Sequence, residues 1–259
     1  MSEARANGVR LYYEEHGSGD PILCIHGTSS SAMVWRDAAV EALSGLGRTI
    51  IYDRRGCTRS ERPEPYDTSV AQQAEDAAAL LEVLDAVPAV VIGRSYGGDI
   101  AIEFALHHGE LVRALVLLEA GEVLDAEAKA WAEDVRDAIE EAAARDPWSS
   151  AEVLFEQIGA ADAWKSFPQP LRQMFIDNSP AILAELRGPW LEVTSDDLAR
   201  IDAPTLYVAA MGSPPAYRRV TDRIAEAIPG SRIVFVEGGH LIDPSHPEVL
   251  RFVRDVIGS

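Results

Sequence analysis

The sequence predicts one α/β domain with a parallel sheet and a helical segment inserted late in the chain. Three observations predict it. Short apolar runs alternate with amphipathic helices, as in βαβ units. The alternation breaks once, over residues 122–200. A strand, a tight turn and a helix also carry the pattern G-x-S-x-G, the context that pattern requires. A chain of 259 residues is long enough for one large domain with an insertion.

The elements follow in order. "VRLYYEEHG" alternates weakly and reads as a strand. After the turn "SGD", "PILCIHG" is a second, and "RTIIYD" a third. "SVAQQAEDAAALLEVLDAV" places apolar residues at helical spacing and stops before Pro88. The strand "AVVIG" leads through Ser95 into the helix "DIAIEFALHH", and the strand "ALVLLE" follows. Residues 122–200 read as several short helices, interrupted at Pro147, Pro168, Pro170, Pro180 and Pro189. The pattern then resumes with "PTLYVAA", the helix "AYRRVTDRIAEAI", the strand "SRIVFVE" and the closing helix "PEVLRFVRDVI". Residues 1–121 and 201–259 are therefore expected to form the core. The insert holds four of the five tryptophans: Trp131, Trp148, Trp164 and Trp190. Its aromatic residues suit either a small core of its own or a lid over a pocket, with Trp131 and Trp164 as candidate substrate contacts.

Composition excludes several classes of function. The formal net charge is −19, and such a surface repels nucleic-acid phosphates and anionic lipid headgroups. Residues 122–199 hold 6 Lys and Arg against 17 Asp and Glu, which reads first as a solvated helical face. No apolar run is long enough to span a bilayer, and "MSEARANGVR" lacks the apolar stretch of a secretory signal. A cytoplasmic protein is expected. The two cysteines, Cys24 in an apolar run and Cys57 in a polar loop, show no disulfide or metal-ligand spacing. The reading calls for no metal and no cofactor.

A serine hydroxyl needs a neighbouring base to become a nucleophile, and the base is usually a histidine oriented by a carboxylate. Of the six histidines, His107 and His108 end the helix after Ser95, while His16 and His246 adjoin turns. His26 opens "HGTSSS" directly after a strand. His240 follows "FVEGG" between the last strand and the last helix.

Four segments in this order resemble the α/β-hydrolase superfamily: "HGTSSSAMVW" its oxyanion loop, "YDRRGCTRS" its D-x-R-G-x-G-x-S loop, "GRSYGG" its nucleophile elbow and "EGGHL" its histidine loop. The resemblance implies an eight-stranded, mostly parallel sheet flanked by helices, with a helical cap between strands six and seven. It makes Ser95 the nucleophile, His240 the general base and acid, and the backbone N–H groups of Thr28 and Tyr96 the oxyanion donors. His26 is expected to hold its loop rather than react. The chain departs from the pattern twice. Thr58 stands where a glycine is expected after Cys57. Ser213 stands where many relatives carry the acid after strand seven. Glu119, at the end of strand six, is the expected substitute, because some relatives carry a glutamate there and the order Ser95, Glu119, His240 fits. Asp243 is expected to cap the last helix, Asp99 to face away from the elbow, and Ser213 to be at most a neutral second acceptor.

The resemblance implies hydrolysis of a carboxylic ester or lactone through an acyl-enzyme, on a small, neutral or hydrophobic acyl substrate. C–C bond cleavage in a β-diketone or dienoate uses the same three residues and is the alternative. A non-catalytic small-ligand receptor on the same fold is the reading from a different class.

Overall fold

The computed structural model describes residues 2–36, 38–120 and 126–258. Eight strands form one sheet: β1 (Ser2–Ala6), β2 (Val9–His16), β3 (Pro21–Ile25), β4 (Arg48–Tyr52), β5 (Ala89–Arg94), β6 (Val112–Leu118), β7 (Thr205–Ala210) and β8 (Arg232–Val236). Their order is β1-β2-β4-β3-β5-β6-β7-β8. Only the β1–β2 and β2–β4 pairs are antiparallel. β1 is absent from the sequence reading because "SEARA" is short and largely polar. It forms by pairing along its whole length with β2.

Central parallel strands are covered on both faces and so read as unbroken apolar runs. The period of two sorts their side chains. Val91, Leu115 and Leu117 pack in one layer with Ala74, Leu81, Ile100 and Phe104. These come from α2 (Val70–Val83) and α3 (Tyr96–His107), after α1 (Ala38–Ser44) in the chain. Val90, Ile92, Val116 and Leu118 pack in the opposite layer with Trp35, Val40 and Leu43 of the α1 region and with Val249 and Phe252.

Between β6 and β7 run α4 (Ala126–Arg145), α5 (Ser150–Gln157), α6 (Ala161–Ser166), α7 (Gln169–Asp177), α8 (Ser179–Arg187) and α9 (Ser195–Leu198). The expected start of the insert at residue 122 lies outside the described residues. α10 (Pro215–Ala227) follows β7, and α11 (Pro247–Ile257) closes the chain. The insert has its own core around Ile139, Phe155, Met174, Phe175 and Ile182, and Met33, Val34 and Leu241 of the main domain pack against it. Cys57, expected in a polar loop, is fully buried, as is Cys24. No helix among the described residues is long and apolar enough to cross a membrane.

Candidate active site

Ser95 caps the N-terminus of α3 with φ +54° and ψ −130°. A serine in this left-handed region costs on the order of 1–3 kcal/mol and persists only where its surroundings enforce it. The flanking glycines show how they do. A Cβ on Gly93 would lie 2.3 Å from the Gly97 carbonyl oxygen, and one on Gly97 would lie 2.2 Å from that of Ile25. Strand, turn and helix are therefore too close for side chains, and Ser95 is carried out at the end of the sheet.

His240 lies in the loop after β8, buried at 2 % exposure. Its Nδ1 is 2.8 Å from Glu119 Oε2, so Nδ1–H donates to the carboxylate in the tautomer that leaves Nε2 as acceptor. Nε2 is buried and has no hydrogen-bond partner. The ring stacks on Tyr217 of α10, with centroids 4.2 Å apart, and Trp131 meets that tyrosine edge-on at 5.2 Å.

Glu119 follows β6 with φ +46°, a second non-glycine residue held in the left-handed region. Its own N–H donates to the Val208 carbonyl at 2.9 Å. Its Oε1 accepts the Ala210 N–H at 2.7 Å and its Oε2 accepts the Ser213 hydroxyl at 2.6 Å. The carboxylate is thus fully engaged by β7, the loop after it and His240. Ser213 is not a second acceptor for the imidazole, as expected from its position; it donates to Glu119. A hydroxyl beside a carboxylate is a better donor to it than an acceptor from a neighbouring ring.

A cavity of about 110 Å³ joins these groups. Ser95, His240, Glu119, Thr28 and Tyr96 border it from the main domain, and Trp131 from the insert. A methyl group on Gly27 would stand 3.2 Å from Ser95 Cβ and 3.8 Å from its Oγ, so the Gly27–Thr28 loop runs against Ser95. Ser95 and His240 face one cavity without a hydrogen bond between them, since Nε2 has no partner; such bonds are often open before substrate binds.

Four expectations are corrected here. Trp164 does not border the cavity. It is buried within the insert, against Phe155 at 5.2 Å and Phe175 at 6.4 Å, while Trp190 borders the cavity. Asp99 does not face away: it is fully buried and borders the cavity, because four residues is one helical turn and returns it to the face of Ser95. Asp243 does not cap α11; its Oδ1 accepts the Ser245 N–H at 2.8 Å, and His246 is the cap, accepting the Glu248 N–H. His246, expected only to adjoin a turn, is therefore tied to that helix end. The Thr58 departure is accommodated: Thr58 takes up φ +44°, and its N–H donates to Asn178 of the insert at 2.9 Å.

His26 holds its loop, as expected. One ring nitrogen accepts the Arg54 N–H at 3.0 Å and the other lies 2.9 Å from the Gly27 carbonyl. Burial, aided by the charge of Arg54, keeps this histidine well below the usual range, so it stays neutral. Residues that sequence reasoning missed complete the support. Arg54 donates to the His26 and Gly27 carbonyls at 2.9 Å each and pairs with Glu185 of α8 at 2.7 Å. Asn178 donates to the Ser29 and Ser30 carbonyls at 3.2 and 2.9 Å. The insert therefore grips the 26–30 loop through a buried ion pair and an amide. Nothing in the local pattern of "AILAELRG" marks Glu185 beyond a charge among apolar residues. Glu185→Ala leaves the Arg54 charge buried and alone, and should cost about 3–5 kcal/mol of stability. Urea unfolding checks this: a midpoint equal to that of the parent would show that the pair contributes nothing.

A family model described as alpha/beta hydrolase fold matches residues 20–247. The "Putative carbamate hydrolase RutD" of Azorhizobium caulinodans is 31% identical over 261 residues, spanning 96% of this chain and 95% of that protein. A thermophilic esterase from Thermogutta terrifontis superposes with TM-score 0.80 at 25% identity, over 98% of this chain and 97% of its own. Est816, described as an N-acyl homoserine lactone degrading enzyme, superposes with TM-score 0.77 at 25% identity, over 98% and 99%.

Proposed function

Because this chain belongs to the α/β-hydrolase family, we propose that it is a serine hydrolase that cleaves a carboxylic ester or lactone through an acyl-enzyme. The observation that carries this reading is the Glu119–His240 contact at 2.8 Å, which leaves Nε2 unpartnered at the cavity that Ser95 also borders. The Ser95 hydroxyl adds to the substrate carbonyl while its proton passes to Nε2. The imidazolium so formed is held by Glu119. The N–H groups of Thr28 and Tyr96 are the proposed donors to the oxyanion, each worth about 2.7–4 kcal/mol in comparable hydrolases. Collapse expels the alcohol, which takes the proton from His240, and leaves an ester on Ser95. Water, deprotonated by His240, then releases the acid and restores the hydroxyl. The relatives named as an esterase and a lactone-degrading enzyme support this bond class.

Turnover of a panel of p-nitrophenyl esters of increasing acyl length tests the proposal. Hydrolysis at a rate above that of the Ser95→Ala protein is expected. The same assay run across pH should fall off on the acid side along a single limb, since a protonated His240 cannot accept the serine proton. His26 adds no second limb there, being held neutral by burial. No release of nitrophenol from any ester in the panel, or release equal to that of Ser95→Ala, would count against the reading.

A further inference from the structure

The cavity is bordered by a charge that the triad does not use. Arg94 ends β5, immediately before Ser95. It shares a strand face with Val90 and Ile92, which pack in the layer of Trp35 and α11. Its guanidinium carbon lies 4.6 Å from the centre of the Trp35 ring. Among the described residues it has that ring for a neighbour and no hydrogen-bond or ion-pair partner. The other arginines held deep in the fold are all paired: Arg54 with Glu185, Arg55 with Asp76 and Arg59 with Asp53. A buried cation without an anion is costly unless something supplies one. Arg94 is half-buried against a cavity rather than sealed in protein, so a ligand can supply it.

The charges around it are few. Burial pulls the Arg94 guanidinium down to about 10, against the charge of Asp243, so it stays protonated at neutral pH. Asp243 is exposed and turned to the Ser245 N–H. The Cys24 thiol, pushed up to about 12 by burial, is neutral. Glu119 is occupied by His240, Ser213 and Ala210. Asp99 borders the cavity from α3, which packs on the opposite face of the sheet. Ser30 also borders it, and its buried Oγ has no hydrogen-bond partner. Every described insert residue at the cavity is uncharged, among them Val135, Leu154, Phe155 and Phe175. Among the described residues, the acidity of the insert does not extend to the cavity wall.

We propose that Arg94 is the anchor for a substrate carboxylate, so that the ester or lactone this protein cleaves carries a negative charge and a hydrocarbon portion, the latter against the insert. This deepens the hydrolase reading and rests on it. It revises the expectation of a neutral acyl substrate: the cavity is apolar on the insert side and carries Arg94, together with Asp99 and Glu119, on the other. Arginine suits the role because its fixed fork matches a carboxylate while its cation rests 4.6 Å from the Trp35 ring centre.

Binding is measured first, without turnover, by calorimetry of hexanoate and hexanamide. Hexanoate should bind the wild-type protein about 10- to 100-fold more tightly, the range for hydrogen bonds to a charged group. Arg94→Gln should abolish that preference and Arg94→Lys should keep part of it. Equal affinity of the two ligands for the wild-type protein overturns the proposal, and this arm holds even if Arg94→Gln fails to fold. A preference that survives in a folded Arg94→Gln protein also overturns it. Kinetics follow, with 4-nitrophenyl hydrogen adipate against 4-nitrophenyl methyl adipate. The anionic ester should show a KM lower by about tenfold, lost in Arg94→Gln. Hydrolysis of neither ester would sink the hydrolase reading alone, leaving the carboxylate preference in binding to stand or fall on the calorimetry.

Discussion

Ser95→Ala should lower ester turnover by on the order of a millionfold, the cost of removing the nucleophile from a serine triad. Among the described residues, no other hydroxyl is placed to replace it. Ser30 and Thr28 border the same cavity, but neither ends a strand at a turn that presents its oxygen at the mouth of a helix, as Ser95 does with φ +54°. Ser213, the hydroxyl nearest the carboxylate, already donates to Glu119. A fluorophosphonate probe gives the direct readout. The parent protein should take up one label, at Ser95, and Ser95→Ala none. The substitution keeps the fold, since the serine side chain makes no capping hydrogen bond to α3. Circular dichroism should therefore superpose. Label found on another residue of the Ser95→Ala protein would reassign the nucleophile.

Glu119→Gln should lower kcat by about 10⁴ while leaving KM nearly unchanged. In serine triads an amide in place of the carboxylate favours the wrong imidazole tautomer and removes the charge that stabilises imidazolium. Here the change is severe for a further reason. Glu119 Oε1 takes the Ala210 N–H and Oε2 takes both His240 Nδ1 and the Ser213 hydroxyl. A glutamine can keep the first bond only by turning its NH₂ toward two groups that are themselves donors. His240 must then offer Nδ1 as the acceptor and lose the proton acceptor that faces the cavity. Ser213→Ala removes one donor and leaves the His240–Glu119 hydrogen bond intact, so a loss of about tenfold is expected, the lower end of the range for one hydrogen bond to a charged group. Asp243→Asn should leave kcat unchanged, because Asp243 serves the turn at Ser245. If Ser213→Ala or Asp243→Asn proved as damaging as Glu119→Gln, the carboxylate would not be the acid of the site.

The core was legible where residues adjacent in sequence are adjacent in function. Five of the parallel strands are apolar runs that two faces of helices must cover, and the switch between periods of two and 3.6 marks their ends. The segments that escaped were those with little local signal. β1 is polar and depends on β2 for its hydrogen bonds. α1, "AAVEALS", is only seven residues long and shows a helical period over barely two turns. Within the insert, helical spacing shows that Trp131 and Trp164 lie on apolar faces, yet such a face can meet either a core or a cavity. Trp164 found Phe155 and Phe175, and Trp131 found Tyr217 and the cavity.

By itself the sequence determined the fold class, the elbow and the histidine loop. The elbow is a five-residue device in which Gly93 and Gly97 exist to let Ser95 take its backbone angles, so its cause and its effect lie within one turn. The sequence named Glu119 only through a resemblance, and the tertiary structure alone decided which groups hold it and the loops around it. Glu119 is engaged by residues 91, 94 and 121 positions away. The 26–30 loop is held by Asn178 and, through Arg54, by Glu185. Among the described residues Arg94 has no ion-pair partner, because its strand face packs on Trp35 and Asp243, whose charge acts on it, turns to the Ser245 N–H. Hydrogen bonds and ion pairs act over about 3–4 Å, so a pairing between distant segments is set by the packing of the sheet and insert, which bring them to that range.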